Sequence, residues 1–486
     1  MSQEIRNLEP KQLWNKFADL NAVPRPSKKE ERVIAFMKKF GEDLNLPTIV
    51  DEVGNVIITK PATKGYENRK TVVLQGHLDM VCQKNADTNF DFDTQGIEMY
   101  VDGDWVKAKG TTLGADNGLG VATIMAVLES DTIEHPAIEA LFTIDEETGM
   151  TGAMGLKGGL LKGDILLNLD TEDDDEIGVG CAGGIDITAT KTYKEEATTT
   201  DMLGYTIEIK GLNGGHSGMD IIKGLGNANV FMNRLLFEGY EKYGLRIASV
   251  QGGSLRNAIP RESFVTVAVE KIHKDAFETE MQTAIAAIKK EYATLEADLE
   301  IIVSQTTTPN SVMEIGAQEA TLKSIYATFN GVYRMSPDIE GLVETSNNIA
   351  RVTIKAGNAE VLCLTRSSVD SGKNDLANKI KSALELGDFD VALSGSYPGW
   401  TPNMQSSILK VMENLYTKMN GEPAKVAACH AGLECGILGT NYPDMEMISF
   451  GPNIRGAHSP DERAQISSAQ KYWKFFLEVL KETPVK

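Results

Sequence analysis

The run Ile138-Glu139-Ala140-Leu141-Phe142-Thr143-Ile144-Asp145-Glu146-Glu147-Thr148-Gly149 decides how this chain is read. Its first half is apolar enough for a buried strand, and three acids follow at once. Carboxylates crowded at a strand end repel one another. At neutral pH they need a compensating cation or a raised pKa, and both conditions are commonest at functional sites.

Outward from this run, the same grammar repeats. Thr71-Val72-Val73-Leu74 is apolar and ends in Gln75-Gly76-His77-Leu78-Asp79, and Ile165-Leu166-Leu167-Asn168-Leu169 ends in Asp170. Glu446-Met447-Ile448-Ser449-Phe450 precedes a Gly-rich loop holding His458, and Asp116 opens a helical stretch, Gly118 to Glu129. Strands and helices alternate, which predicts an α/β sheet covered by helices on both faces. Near Cys181-Ala182-Gly183-Gly184 the pattern changes to strand, helix, two strands, helix, strand, and a second such unit follows with no evident first strand. The expectation is a sheet domain, 1–183 and 397–486, split by an inserted α+β domain, 184–396, of two β-α-β-β-α-β-like halves. Ser459-Pro460-Asp461-Glu462 reads as an N-cap, an N1 proline and a capping-box glutamate, so the final helix is expected from Pro460 to about Lys481.

Composition narrows the function classes. The 486 residues carry 69 acids against 48 bases, a formal charge of −21, which argues against a nucleic-acid or anionic-membrane surface. The plain reading of that charge is solubility. The five cysteines show no metal-finger or disulfide spacing, which fits a reducing compartment. Met1 to Phe17 lacks a signal-peptide core, and no run reaches the ~18 apolar residues of a membrane helix. A cytoplasmic, soluble protein is expected.

His77, His216 and His458, half of the six histidines, lie in Gly-rich loops between predicted elements, where α/β sheets bind ligands. Imidazoles with carboxylates form the ligand set of Zn²⁺, Mn²⁺ or Co²⁺. Spacing alone is weak evidence here; the convergence of His77, Asp116, Glu146/Glu147, Asp170 and His458 on one sheet edge is stronger. In an extended chain Asp79 faces the same way as His77 and can fix its tautomer. Asp116 reads equally well as a helix N-cap. The block Cys429-His430-Ala431-Gly432-Leu433-Glu434-Cys435-Gly436 reads as structural, lining the site without forming a third metal position.

Taken together, Gly76-His77-Leu78-Asp79-Met80-Val81, Gly114-Ala115-Asp116-Asn117-Gly118, Asp145-Glu146-Glu147-Thr148-Gly149, Leu169-Asp170 and Gly456-Ala457-His458-Ser459-Pro460 resemble the signature blocks of the di-metal exopeptidases. With Asn213-Gly214-Gly215-His216-Ser217-Gly218, the wording is most similar to the family's bacterial cytosolic dipeptidase branch, which includes aminoacyl-histidine and carnosinase-like members. The resemblance implies two divalent ions per subunit, Zn²⁺ first, with Co²⁺ or Mn²⁺ as alternatives. His77 and Asp170 would hold one ion and Glu147 and His458 the other, with Asp116 bridging. Asp79 would orient His77, and a metal-bridged hydroxide would attack the peptide with Glu146 as general base and acid. The insert would be a lid and dimerisation domain of a homodimer, in which His216 reaches the partner's site, Arg366 binds the substrate carboxylate and Asn257 contacts the substrate. The implied reaction is hydrolysis of unblocked L-dipeptides. The alternatives are a tripeptidase, an N-acyl-amino-acid deacylase or a non-catalytic metal-binding scaffold.

Overall fold

The computed structural model describes residues 3–486, whose contacts divide into two compact units. The first holds the chain up to Gly180, then Pro402–Ala428 and Leu433–Lys486; the second holds Cys181–Thr401 and the short strap Cys429–Gly432.

An eight-stranded sheet forms the first unit, in the order Thr48–Val50, Val56–Lys60, Ile138–Thr143, Val72–His77, Ile165–Asn168, Glu446–Ser449, Glu176–Cys181, Lys425–Cys429. The four strands from Ile138–Thr143 to Glu446–Ser449 run parallel, so their carboxyl ends lie along one edge. Their residues are buried almost throughout, as expected of continuous apolar runs in a parallel sheet. Helix Ala115–Glu129 packs on Val72–His77 and is buried all round from Gly118 to Leu128, as the apolar character of that run, broken by Thr123 alone, requires.

The final helix begins at Ile466, not Pro460, and Tyr472, Trp473, Phe476, Val479 and Leu480 form its buried face. Ser459 to Glu462 therefore caps no helix. Glu462 points elsewhere, as described below.

The second unit is built on a nine-stranded sheet ordered Glu300–Thr306, Met202–Lys210, Ser263–Glu270, Arg246–Gly252, Val343–Lys355, Asn358–Ser367, Gly183–Thr192, Asp390–Tyr397, with Gly331–Met335 beside Val343–Lys355. Read within each half, the order is fourth-first-third-second, then its mirror. The first strand missing from the second half is Gly183–Thr192, which pairs with Asn358–Ser367 and Asp390–Tyr397. It precedes the whole first half in sequence, so a search downstream of the first half could not find it.

Gly120 lets the buried helix approach the site. A Cβ there would lie 2.4 Å from the Leu169 carbonyl oxygen and 2.6 Å from Asn117 Oδ1. Alanine would gain ~0.5–1 kcal/mol of helix propensity but overpack a backbone contact at a cost of ~1–3 kcal/mol. We expect Gly120→Ala to lower the thermal midpoint by several degrees; a midpoint at or above the parent's would show that the carbonyl yields.

Candidate active site

Six side chains meet at the carboxyl edge of the first unit's parallel strands. His77 ends one strand, Glu146 and Glu147 follow a second, Asp170 follows a third, Asp116 enters from the buried helix and His458 from the loop after Glu446–Ser449. His77 Nε2 lies 3.1 Å from Asp116 Oδ1 and 3.6 Å from Asp170 Oδ1. His458 Nε2 lies 3.2 Å from Asp116 Oδ2 and 2.9 Å from Glu147 Oε2. Asp116 thus divides its two oxygens between two His–carboxylate groups. Glu146 joins His77 and Glu147 in a further cluster of donor atoms.

Asp79 works on both sides. Its Oδ1 is 3.4 Å from His77 Nδ1, which also lies 3.2 Å from the Asp79 carbonyl oxygen. Both acceptors favour a proton on Nδ1, which leaves the Nε2 lone pair for a ligand. The same carboxylate accepts from Glu146 N at 3.0 Å and Glu147 N at 3.2 Å, so one buried acid sets both the imidazole and the glutamate pair. Asp145 faces inward: it accepts from the Thr148 and Thr151 hydroxyls, while its own N–H donates to Glu30 Oε1. Asp145 and His458 adopt left-handed φ values of 54° and 63°, a strained state for non-glycine residues that the surrounding bonds must hold.

The electrostatics follow from the crowding. Burial raises Glu146 well above the ordinary glutamate range, and Asp170, Glu434 and Glu147 add to the rise against the opposing pull of His77. Burial likewise raises Glu147 and Asp170. Burial alone would lower His77, but Asp170, Asp116 and Asp79 outweigh it and raise it strongly. Hydrogen bonds to Asp116 and Glu147 lift His458 to about 11. Glu147 Oε1 and Asp170 Oδ1 are buried without a hydrogen-bond partner. Such atoms cost ~1–3 kcal/mol each, and more when charged. A set of acids and imidazoles with unused buried oxygens fits divalent cations, which would supply the missing positive charge.

Several supporting residues escaped the sequence reading. Glu462 Oε2 accepts from Leu113 N (2.7 Å) and Gly114 N (2.9 Å), and Oε1 accepts from Ala115 N (2.7 Å) and Asp116 N (3.3 Å). This carboxylate gathers the turn that presents Asp116. Arg25, buried in full, donates to the carbonyls of Leu78 (3.2 Å), Asp79 (3.0 Å) and Gly114 (2.5 Å), tying the His77 loop to the Asp116 turn. Beneath the ligands, Gln75 and Thr143 donate to Glu434, and burial pushes that carboxyl up to about 7. The Ser-x-x-Glu pattern around Glu462 pointed to a local cap, so it concealed a bond reaching back over three hundred residues.

His216 and Arg366 come together in the second unit. His216 Nδ1 accepts from Gly218 N (3.2 Å) and Met219 N (3.1 Å), so Nε2 carries the proton, and it lies 3.4 Å from Arg366 Nη2. Arg366 is buried and donates to Tyr397 Oη at 3.0 Å, while its Nε has no partner. Among the described residues no carboxylate comes within ion-pair distance of it. Asn257 is exposed and meets the His216 loop through its backbone, accepting from Ser217 N at 2.8 Å.

Residues 73–482 match Peptidase family M20/M25/M40. The chain is 42% identical to the cytosol non-specific dipeptidase of Escherichia coli (strain K12) over 483 residues, covering 99% of this chain and 100% of that protein. The crystal structure of aminoacylhistidine dipeptidase from Vibrio alginolyticus superposes with a TM-score of 0.95 at 44% identity, over 99% of each chain. The aminopeptidase PepT of Bacillus cereus shares the fold alone, with a TM-score of 0.57 at 15% identity over 98% of this chain and 99% of that one. Among the described residues no helix is long and apolar enough to cross a membrane.

If Glu462 holds the Asp116 turn, Glu462→Gln should retain a divalent ion ~10–100-fold less tightly against a competing chelator, with unchanged far-ultraviolet circular dichroism. An unaltered chelator midpoint would show that the turn stands without it.

Proposed function

The chain belongs to Peptidase family M20/M25/M40, and on that premise we propose that it is a metal-dependent dipeptidase hydrolysing unblocked L-dipeptides, Xaa-His included. The observation that carries the reading is a buried carboxyl, Glu146, beside five metal-type donors that share Asp116. Full-length likeness to two proteins named as dipeptidases supports the substrate class. The same reading places the protein in the cytoplasm as a homodimer, with 184–396 as its lid and dimerisation domain.

His77 and Asp170 would hold one divalent ion and Glu147 and His458 a second, with Asp116 serving both; imidazole with carboxylate suits Zn²⁺ first, then Co²⁺ or Mn²⁺. When bound, such ions supply Lewis acidity, polarising the peptide carbonyl and making water a nucleophile near neutral pH.

The chain's own residues supply the rest. Asp79 keeps the His77 proton on Nδ1 and holds the Glu146 and Glu147 backbones. Glu146 takes the proton of the attacking water and passes it to the leaving amine. His216 presents an Nε2–H donor of fixed tautomer for the developing oxyanion. Burial and the Arg366 charge keep its pKa low, so at working pH it donates as a neutral imidazole. Arg366, a buried guanidinium without a counterion, receives the substrate's carboxylate. Asn257 supports the His216 loop and contacts the substrate.

Glu146→Gln should lower kcat by at least ~10² with metal content unchanged; near-parental turnover would remove Glu146 from the acid–base role. Chelation should abolish hydrolysis, and Zn²⁺, Co²⁺ or Mn²⁺ should restore it to different extents. A panel of Ala-His, a tripeptide and an acetylated amino acid separates the classes: the dipeptidase reading requires Ala-His to be cleaved best.

A further inference from the structure

One strand of the second unit departs from the usual make-up of a buried strand. In Val343–Lys355, five successive polar residues, Glu344-Thr345-Ser346-Asn347-Asn348, are all buried. Buried polar groups cost free energy unless each finds a partner, so the partners of this run are informative. Asn348 is the member whose bonds lead toward His216. Its Nδ2 donates to the carbonyls of Ala258 (2.8 Å) and Arg256 (3.3 Å), on either side of Asn257. Its Oδ1 accepts from Asn227 Nδ2 at 3.2 Å.

Only one orientation of the two amides satisfies every bond. Asn227 caps helix Ala228–Tyr243, its Oδ1 accepting from Asn229 N (3.0 Å) and Val230 N (3.1 Å). Its Nδ2 therefore faces away from the helix, toward Asn348 Oδ1 and toward Asn330 Oδ1 at 3.1 Å. That leaves Asn348 Nδ2 for the two carbonyls. Helix cap, paired amides and the segment from Arg256 to Ala258 form one chain of matched donors and acceptors.

The segment at the end of this chain supports the His216 loop. Ala258 is the cross-strand partner of His216 and Ile259 that of Gly215, and the Asn257 carbonyl accepts from Ser217 N at 2.8 Å. The loop has little stiffness of its own, since Gly214 and Gly215 enter it at φ values of 65° and 155° that only glycine adopts freely. Glu296 closes its neck, accepting from Asn213 N and Gly226 N at 2.7 Å each, but leaves its tip to the segment that Asn348 holds. Because the His216 ring is bonded to Gly218 N and Met219 N of the same loop, ring and loop move as one body.

We propose that Asn348 is a positioning residue: its two donated hydrogen bonds fix the segment from Arg256 to Ala258, and through it the place at which His216 presents Nε2–H to the oxyanion. The proposal rests on the assignment of His216 to that oxyanion.

The test reads kcat and KM for Ala-His in the metal-loaded parent and in its His216→Ala, Asn348→Ala, Asn348→Asp and combined His216→Ala, Asn348→Ala variants. His216→Ala should lower kcat ~10²–10³-fold, as loss of one oxyanion donor does. Asn348→Ala should lower kcat ~10-fold or more with KM little changed, since misplacement costs an interaction made only in the transition state. Asn348→Asp, which keeps the shape and loses both donors, should lose as much. Added to His216→Ala, the Asn348→Ala change should cost almost nothing further, because both act through one interaction. Parental kcat in His216→Ala would overturn the oxyanion assignment and this inference with it. With His216→Ala impaired, parental kcat in Asn348→Ala and Asn348→Asp would overturn the inference alone, as would an Asn348→Ala loss equally large without His216. Activity kept in Asn348→Asp but lost in Asn348→Ala would assign Asn348 to packing and also overturn it. Should Asn348→Ala fail to fold, Asn348→Ser takes its place in the cycle. Ring ¹⁵N–¹H spectra of histidine-labelled Asn348→Ser should then shift the His216 signals and leave those of His135 and His273 in place, and an unmoved His216 would count against the proposal.

Discussion

Charge of one sign, buried at one edge of a sheet, is the constraint on which this structure depends. Asp116, Glu146, Glu147 and Asp170 crowd His77 on its Nε2 side, and Asp79 holds its Nδ1. Burial raises the proton affinities of Glu146, Glu147 and Asp170, and the surrounding carboxylates raise that of His77. The supporting groups position the cluster largely through backbone. Arg25 spends its charge on backbone carbonyls, Asp79 on backbone amides, and Glu462 on the four N–H groups of a single turn.

Within the second unit, Arg366 is buried with no carboxylate at ion-pair distance among the described residues; it donates to Tyr397 Oη and faces His216 Nε2.

Strand ends were legible in the sequence because burial writes them as apolar runs and function writes acids or histidines directly after. His77, Glu147 and Asp170 were singled out that way, and the structure brings them together because parallel strands share a direction. What stayed hidden was long-range. Glu462 sits in a sequence that imitates a capping box, yet its partners are Leu113 to Asp116. The sequence reading assigned no strand to Glu176–Cys181. The assignment of separate tasks to Glu146 and Glu147 came from family resemblance, since adjacent acids carry no such label themselves.

The position of Gly183–Thr192 bears on how the chain reaches this structure. Its first pairing partner is Asn358–Ser367, roughly 170 residues later, with an entire half-sheet made between them. Closing a loop of that size costs about 2.5 kcal/mol more than closing one of ten residues, and contacts so distant slow the search for the native topology. At ~5–20 residues per second, the ribosome leaves this strand waiting on the order of ten seconds or more for its neighbour to emerge. The first unit waits as well, because Glu446–Ser449 must enter between strands made hundreds of residues earlier. The strands from Met202 to Thr306 pair among themselves, so that half can close during synthesis. That half is the natural nucleus of the chain, and the unpaired edge of Gly183–Thr192 is its most exposed point for misassembly and chaperone capture.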